Sequence, residues 1–195
     1  MHGLINRALE DFLKHRHGVA LWHRVAQRAQ LPFDSFEPLL LYDPAWTDGV
    51  IDAACFELGR ARETVLEDMG TALVSQRGRD GLRRLLRFGG VNFREFLYSL
   101  EELPDRARLA LPDLRLPDLR LVDHGGAHFS LLAAPPFAGA GYILLGLLRA
   151  MADDYGALVV LDLTGPIAGA DEIMINLLDD SHAEGRPFDL TVGVI

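Results

Sequence analysis

Seven histidines, one cysteine and two pairs of adjacent aspartates are the first places to look for metal binding or proton transfer in this chain. His124 and His128 lie in the run Asp123-His124-Gly125-Gly126-Ala127-His128. Two histidines four residues apart share a metal when they ride on a helix, but Gly125-Gly126 signals a turn, so both are expected at a turn surface. His15, His17 and His23 sit among charged residues on helix faces expected to meet solvent, and His2 is terminal. Asp153-Asp154 and Asp179-Asp180 are neighbours in sequence, and neighbours on a helix do not face each other, so neither pair reads as an acid–base dyad. Cys55 stands in an apolar helical stretch, where a thiol is inert. The chain has no phosphate-binding glycine loop, nucleophile elbow or zinc-ligand spacing. No catalytic set emerges, and the expectation is a protein that is not an enzyme.

The totals narrow the classes further. A length of 195 residues with 49% hydrophobic content suits one domain, or one domain with a small helical lobe, and supplies a real core. The formal charge of −9 argues against a nucleic-acid footprint and against an anionic membrane surface. A single cysteine leaves no disulfide framework and no cysteine metal cluster. The opening MHGLINRALEDFLKHRHG lacks the continuous apolar core of a signal peptide. The longest apolar run, 142–148, is too short to span a bilayer. A soluble cytoplasmic protein with no membrane insertion is expected.

Periodicity places the elements. Leu4, Ile5, Ala8, Leu9 and Phe12 share a helix face, which Gly18 can end. A second helix over 19–29 turns Leu21, Trp22, Val25 and Ala29 inward. Asp48 can cap a helix over 49–58, and 63–73 reads as another. Leu82, Leu85 and Leu86 form a short helix with Arg83, Arg84 and Arg87 as a solvated outer face. Gly89-Gly90 is a hinge, and Asn92 can cap a helix over 93–103. After Pro117 the period becomes two: 119–123 and 128–132 read as a hairpin. A helix over 141–155 follows, then strands over 157–162, 173–178 and 190–195, with Leu163-Thr164-Gly165-Pro166 as a turn. Such an order is α+β with an antiparallel sheet.

The stretch FLYSLEELPDRARLALPDLRLP, 96–117, then stands out. A helix with Phe96, Leu97, Leu100 and Leu103 on one side meets Pro104, which should break it, and a proline-punctuated turn follows. This stretch is similar to the segment of haem nitric-oxide/oxygen-binding (H-NOX, HNOB) domains that carries the iron ligand: a helix ending in histidine, then a P-x-L-x-x-P turn, matched here by Pro112-Asp113-Leu114-Arg115-Leu116-Pro117. The first helix, opening M-x-G, CFELGRARETVLEDMG and GYILLGLLRAMADDYG also resemble the family. The resemblance spans nearly the whole chain. It implies a single domain over 1–195, with an N-terminal helical lobe (1–65) packed on an α+β lobe (66–195) that holds a four-stranded antiparallel sheet and helices.

The resemblance also marks what is missing. Pro104 occupies the position of the proximal histidine, and a proline offers no lone pair to iron. The family's Tyr-x-Ser-x-Arg motif, which grips the haem propionates, falls on Ala133, Pro135 and Phe137. Pocket positions carried over from the family are Ile5 and Leu9 on the first helix, Met69 and Leu73 on the distal helix, and Leu100, Leu103 and Pro104 on the former proximal helix. Pro117 matches the proline pressed on the porphyrin, and Ile143 and Leu147 lie on the long helix. The resemblance thus implies a sensory or regulatory domain with no cofactor, binding a lipid-like hydrophobic small molecule in the former haem cavity. It would signal to a partner such as a diguanylate cyclase, nucleotide cyclase or histidine kinase. A haem gas sensor with a non-standard axial ligand, and a ligand-free interaction domain with a filled core, remain the alternatives.

Overall fold

The computed structural model describes residues 1–75, 80–110, 116–134, 137–167 and 169–186. Helix α1 spans Gly3–His17. Its start is fixed by His2, whose Nδ1 accepts a hydrogen bond from the Leu4 N–H at 3.2 Å. Gly3 has a packing reason. Its N–H donates to Leu40 O at 2.7 Å, and a Cβ there would collide with the carbonyl of Glu37. Gly18, at φ 91°, ends α1 and starts α2, Val19–Arg28. Helix α3 spans Pro44–Leu58 and is capped by Asp43, whose carboxylate accepts from the Ala45 N–H at 2.9 Å. The cap lies five residues before the expected Asp48 because proline suits the first helical turn, where its missing N–H has no intrahelical partner to lose. Helix α4 spans Arg62–Ser75. These four helices enclose a first core around Phe12, Trp22, Phe36, Ile51, Leu66 and Met69.

Helix α5 covers Asp80–Arg87 and α6 covers Phe93–Ser99, with the Asn92 side chain accepting from the Glu95 N–H at 2.8 Å, as its capping role predicts. A single 3-10 turn, Leu100–Glu102, leads into α7, Leu103–Ala110. Pro104 therefore does not end the helical path. It has no N–H for the Leu100 carbonyl, so the backbone tightens by one residue and Leu103 N–H donates to Leu100 O instead.

Strands β1 (Leu119–Gly125) and β2 (His128–Ala133) form the expected hairpin. Helix α8 (Ala140–Tyr155), β3 (Leu158–Ile167) and β4 (Ala170–Asp179) follow. All pairings are antiparallel, in the order β1-β2-β4-β3. The register aligns Leu121, Leu131 and Ile173 across three strands, and Ile175 with Phe129 and Leu161. Alternation puts these side chains on one face, where they join Phe96, Leu97, Leu148 and Met151 in a second core.

Two local expectations are corrected. Residues 163–166 do not form a turn. They continue β3 through a register shift at Leu163/Gly165, and Gly165 takes φ 90°. The arginine face of α5 is not simply solvated: Arg83 Nη2 lies 2.8 Å from Asp154 Oδ1, and the Arg87 guanidinium stacks 3.9 Å from the Tyr155 ring. The expected strand over 190–195, Pro135, and the turn residues Pro112, Asp113, Leu114 and Arg115 lie outside the described residues.

Candidate functional site

The two cores meet along α4 and α8. A Cβ on Gly70 of α4 would collide with the carbonyl of Ile143, and one on Gly146 of α8 would collide with the carbonyl of Glu67. The helices therefore touch backbone to backbone at two points, one on each. Thr71 Oγ1 donates to Gly146 O at 3.2 Å, and Arg149 pairs with Glu67 at 2.9 Å on the outer side. Two glycines inside helices are the signal of this contact, since each costs about 1 kcal/mol against alanine and needs a packing reason to persist.

The residues marked by sequence fall on both sides of this seam. Leu9 and Met69 are buried in the first core. Phe137 and Ile143 are half-buried and pack against that core. Leu100, Leu103 and Leu147 are buried in the second core. Pro104 is buried in the first turn of α7, and Ala133 is buried at the end of β2. Ile5, Leu73 and Pro117 are half-buried and belong to neither core. Pro135 is outside the described residues.

The polar groups beside these residues already have partners. Arg62 reaches Asp48 at 2.6 Å and Asp52 at 2.7 Å, and also donates to Ala138 O at 3.3 Å, so it spans α3, α4 and the approach to α8. One N–H in the first turn of α8 is bonded from the sheet, where Asp171 Oδ2 accepts from the Gly141 N–H at 3.1 Å. Among the described residues no group of three or more His, Cys, Asp or Glu side chains is placed to hold a metal ion. Of the sequence histidines, His124 Nε2 lies 2.8 Å from Ser130 Oγ on the outer side of the hairpin, and His15 Nδ1 lies 2.7 Å from Asp11 O. The marked residues thus supply apolar surface rather than acid–base or ligand chemistry.

Sequence reasoning missed two buried carboxylates. Glu10, fully buried, takes Lys14 Nζ at 2.5 Å, Ser35 Oγ at 2.7 Å and the Phe36 N–H at 2.9 Å, and so ties α1 to the loop before α3. Asp154, also fully buried, ties α8 to α5 through Arg83. Position in a helix gave no warning of either burial, because Ser35 and Phe36, which close over Glu10, and Arg83, which meets Asp154, lie 25, 26 and 71 residues away. No helix among the described residues is long and apolar enough to cross a membrane.

Comparison with known proteins agrees with this architecture. The family described as Haem-NO-binding matches residues 2–162. An H-NOX protein from S. oneidensis, crystallised in the Fe(II) ligation state, superposes with a TM-score of 0.78 at 14% identity, covering 93% of this chain and 98% of that one. The Fe(II) unliganded H-NOX protein from K. algicida gives 0.75 at 16% identity, over 97% and 100%. A mutant H-NOX from T. tengcongensis gives 0.76 at 12% identity, over 92% and 99%.

Proposed function

Because this chain belongs to the Haem-NO-binding (H-NOX) family, we propose that it is a sensory domain of that family that works without haem. It takes a hydrophobic small molecule between its lobes and passes the change to a signalling partner such as a diguanylate cyclase, nucleotide cyclase or histidine kinase. The observation that carries the reading is the buried Pro104 at the start of α7. The sequence resemblance puts the family's iron-binding histidine at that position.

The residues present do not fit a haem. Iron needs an axial donor with a lone pair, and Pro104 has none. The propionates need donors or cations, since an unpaired buried charge costs several kcal/mol. The corresponding positions hold Ala133 and Phe137, and Arg62, which contacts the loop at Ala138, is held by Asp48 and Asp52. No step of the function is therefore routed through iron.

Apolar surface supports the guest. Ile5, Leu73 and Pro117 belong to neither core, and Ile143 and Phe137 cross from one lobe to the other. A guest burying about 300 Å² of apolar area would gain about 7 kcal/mol before its ordering costs. A guest held there would press on α4 and α8, the helices along which the two cores meet. The lobes proposed here divide near the start of α4.

A second reading, an interior filled by side chains with the domain acting only as an interaction module, is favoured by the tight α4–α8 seam and by Phe137 packing across it. Mass spectrometry of organic extracts from purified protein separates the two. A reproducible apolar compound at near one per chain supports the sensor, and none supports the filled interior. A Soret band with stoichiometric iron would reject both.

A further inference from the structure

Two histidines bracket the turn between β1 and β2, and that turn has an unusual backbone. Gly125, Gly126 and Ala127 all take positive φ, at 80°, 60° and 71°. Ala127 carries a Cβ in that region, which few residues other than glycine enter. The pairing of β1 with β2 also shifts between Asp123 and Gly125, so His124 is the extra residue of a bulge. A bulge re-aims the side chain that it carries. Backbone strain of this kind persists only where the surroundings hold it, and it collects at functional positions.

The bulge turns His124 over the outer face of the sheet, where its Nε2 lies 2.8 Å from Ser130 Oγ. Ser130 Oγ donates to Met174 Sδ at 3.2 Å, and the two residues are direct partners in the pairing of β2 with β4. Ser130 is only 1% exposed although Met174 beside it is 38% exposed. The hydroxyl is thus enclosed between an imidazole nitrogen and a thioether sulfur. His128 is exposed, lies two residues before Ser130 on β2 and projects from the same face, opposite Gly125 and Asn176.

No thiolate enters this set, and the adjacent carboxylate is already taken up. Asp123 Oδ1 accepts from the Gly125 N–H at 2.7 Å, and its Oδ2 accepts from the Tyr98 hydroxyl of α6. Asp162 pairs with Met174 on the side away from Ser130 and adds negative charge to the face. Donor type then decides the ion. Thioether sulfur selects soft ions and imidazole suits copper, whereas Mg(II) and Ca(II) take oxygen ligands.

We propose that His124, His128 and Met174 form a binding site for a Cu(I) ion on the outer face of the sheet, across it from both cores. Metal–nitrogen and metal–sulfur bonds of about 2.0 and 2.3 Å need the two donors about 4 Å apart. His124 Nε2 and Met174 Sδ both lie within 3.2 Å of one oxygen, so a turn of the flexible methionine chain brings them together. Ser130 gives way: its hydroxyl rotates aside and the ion takes its place. Coordination uses the Nε2 lone pair, so the ring proton of neutral His124 rests on Nδ1 and none is released.

Anaerobic titration of the full chain with Cu(I) against the chelator bicinchoninate tests this. The expected result is one equivalent of copper drawn from the chelator by wild type. His124→Ala, His128→Ala and Met174→Leu should each bind about tenfold more weakly or worse, since even a residue that only orients a ligand is worth about tenfold. Ser130→Ala should bind more tightly, because it removes the hydroxyl that competes for both donors. A chain of hydrogen bonds with a purely structural role gives no such gain. X-ray absorption of the copper-loaded protein should show one sulfur neighbour, lost in Met174→Leu and kept in Cys55→Ser. Far-ultraviolet circular dichroism verifies that the variants fold. Wild type that takes no copper, a ligand variant that binds as wild type does, a Ser130→Ala variant that binds no more tightly, or a sulfur signal that disappears with Cys55 would overturn the proposal.

Discussion

Gly70 and Ile143 meet without a side chain between them: the α4 backbone rests on the carbonyl of an α8 residue. Gly146 makes the reciprocal approach to Glu67. The colliding atoms in both cases are backbone, which cannot rotate aside. Gly70→Ala and Gly146→Ala should therefore each destabilise by about 1–3 kcal/mol from overpacking, against a gain of about 1 kcal/mol in helix propensity. The net sign is the informative part. Urea unfolding midpoints below wild type for both would bear out the contact, and an increase for either would show that the helices are not pressed together there.

Asp154 joins α8 to α5 and to the end of the described chain. Its carboxylate takes Arg83 at 2.8 Å, and its carbonyl accepts from the Arg186 N–H at 2.9 Å. Removing one member of a buried ion pair costs about 3 kcal/mol or more, because the other charge loses its compensation. Asp154→Ala should lie near the low end, since Arg87 keeps its stacking on Tyr155. Chemical denaturation gives the number, and a loss well under 1 kcal/mol would show the pair to be solvated.

Tyr155 closes the same corner. Burial pushes its phenol up to about 12, and its hydroxyl donates to Gly90 O at 2.9 Å. The group stays neutral throughout the working range of the protein. Tyr155→Phe should cost about 1 kcal/mol, the net value of one hydrogen bond, and the cost should not change between about pH 6 and pH 9, where neither state of the wild-type phenol ionises. A pH-dependent difference between the two proteins would contradict the assignment.

How much of this was legible in sequence depends on how local the cause is. Gly18, the Asn92 cap and the hairpin around Gly125-Gly126 act within a few residues, and each appears where the sequence puts it. Asp43 rather than Asp48 caps α3 because Pro44 starts the helix, which leaves Asp48 inside it, where it pairs with Arg62. The α5 arginines looked solvated because Asp154 is 71 residues from Arg83. Pro104 does not break the helix as its missing N–H predicts, because a 3-10 step absorbs it and the helical path continues into α7. The marked residues are apolar at helical spacing, so nothing in their pattern separates core from pocket: Leu9 and Met69 join the first core and Leu100, Leu103 and Leu147 the second, while Ile5, Leu73, Pro104, Pro117 and Ala133 are members of neither.

His17 links stability to pH. Burial holds its imidazole below the ordinary value of 6.5, Arg60 and Arg16 push the same way, and Asp68 opposes them. Phe12 covers it edge-on at 5.7 Å. The folded state thus prefers neutral His17, while the unfolded chain takes up a proton first as pH falls. Stability supplied by the neutral ring is present above about pH 6.5 and is lost as pH drops toward the folded value. His17→Gln removes this term, so the gap between variant and wild type in urea midpoint should change between about pH 7.5 and pH 5.5, with wild type losing more. A constant gap would remove His17 as the cause.

Pro104→His puts a donor back at the start of α7, the position from which the proposed loss of haem follows. Wild-type protein expressed with haem available should show no Soret band. The variant should show one if the space beside Leu100, Leu103 and Ile143 admits a porphyrin. Binding should be weak and substoichiometric, since Ala133 and Phe137 give the propionates nothing to hold, and each unpaired carboxylate costs several kcal/mol. A second variant, Pro104→His/Phe137→Arg, supplies one cation and should raise occupancy. If neither variant colours while both fold, side chains fill the interior and the hydrophobic guest has no place. If wild type itself binds haem stoichiometrically, some other residue ligates the iron and the reading built on Pro104 fails.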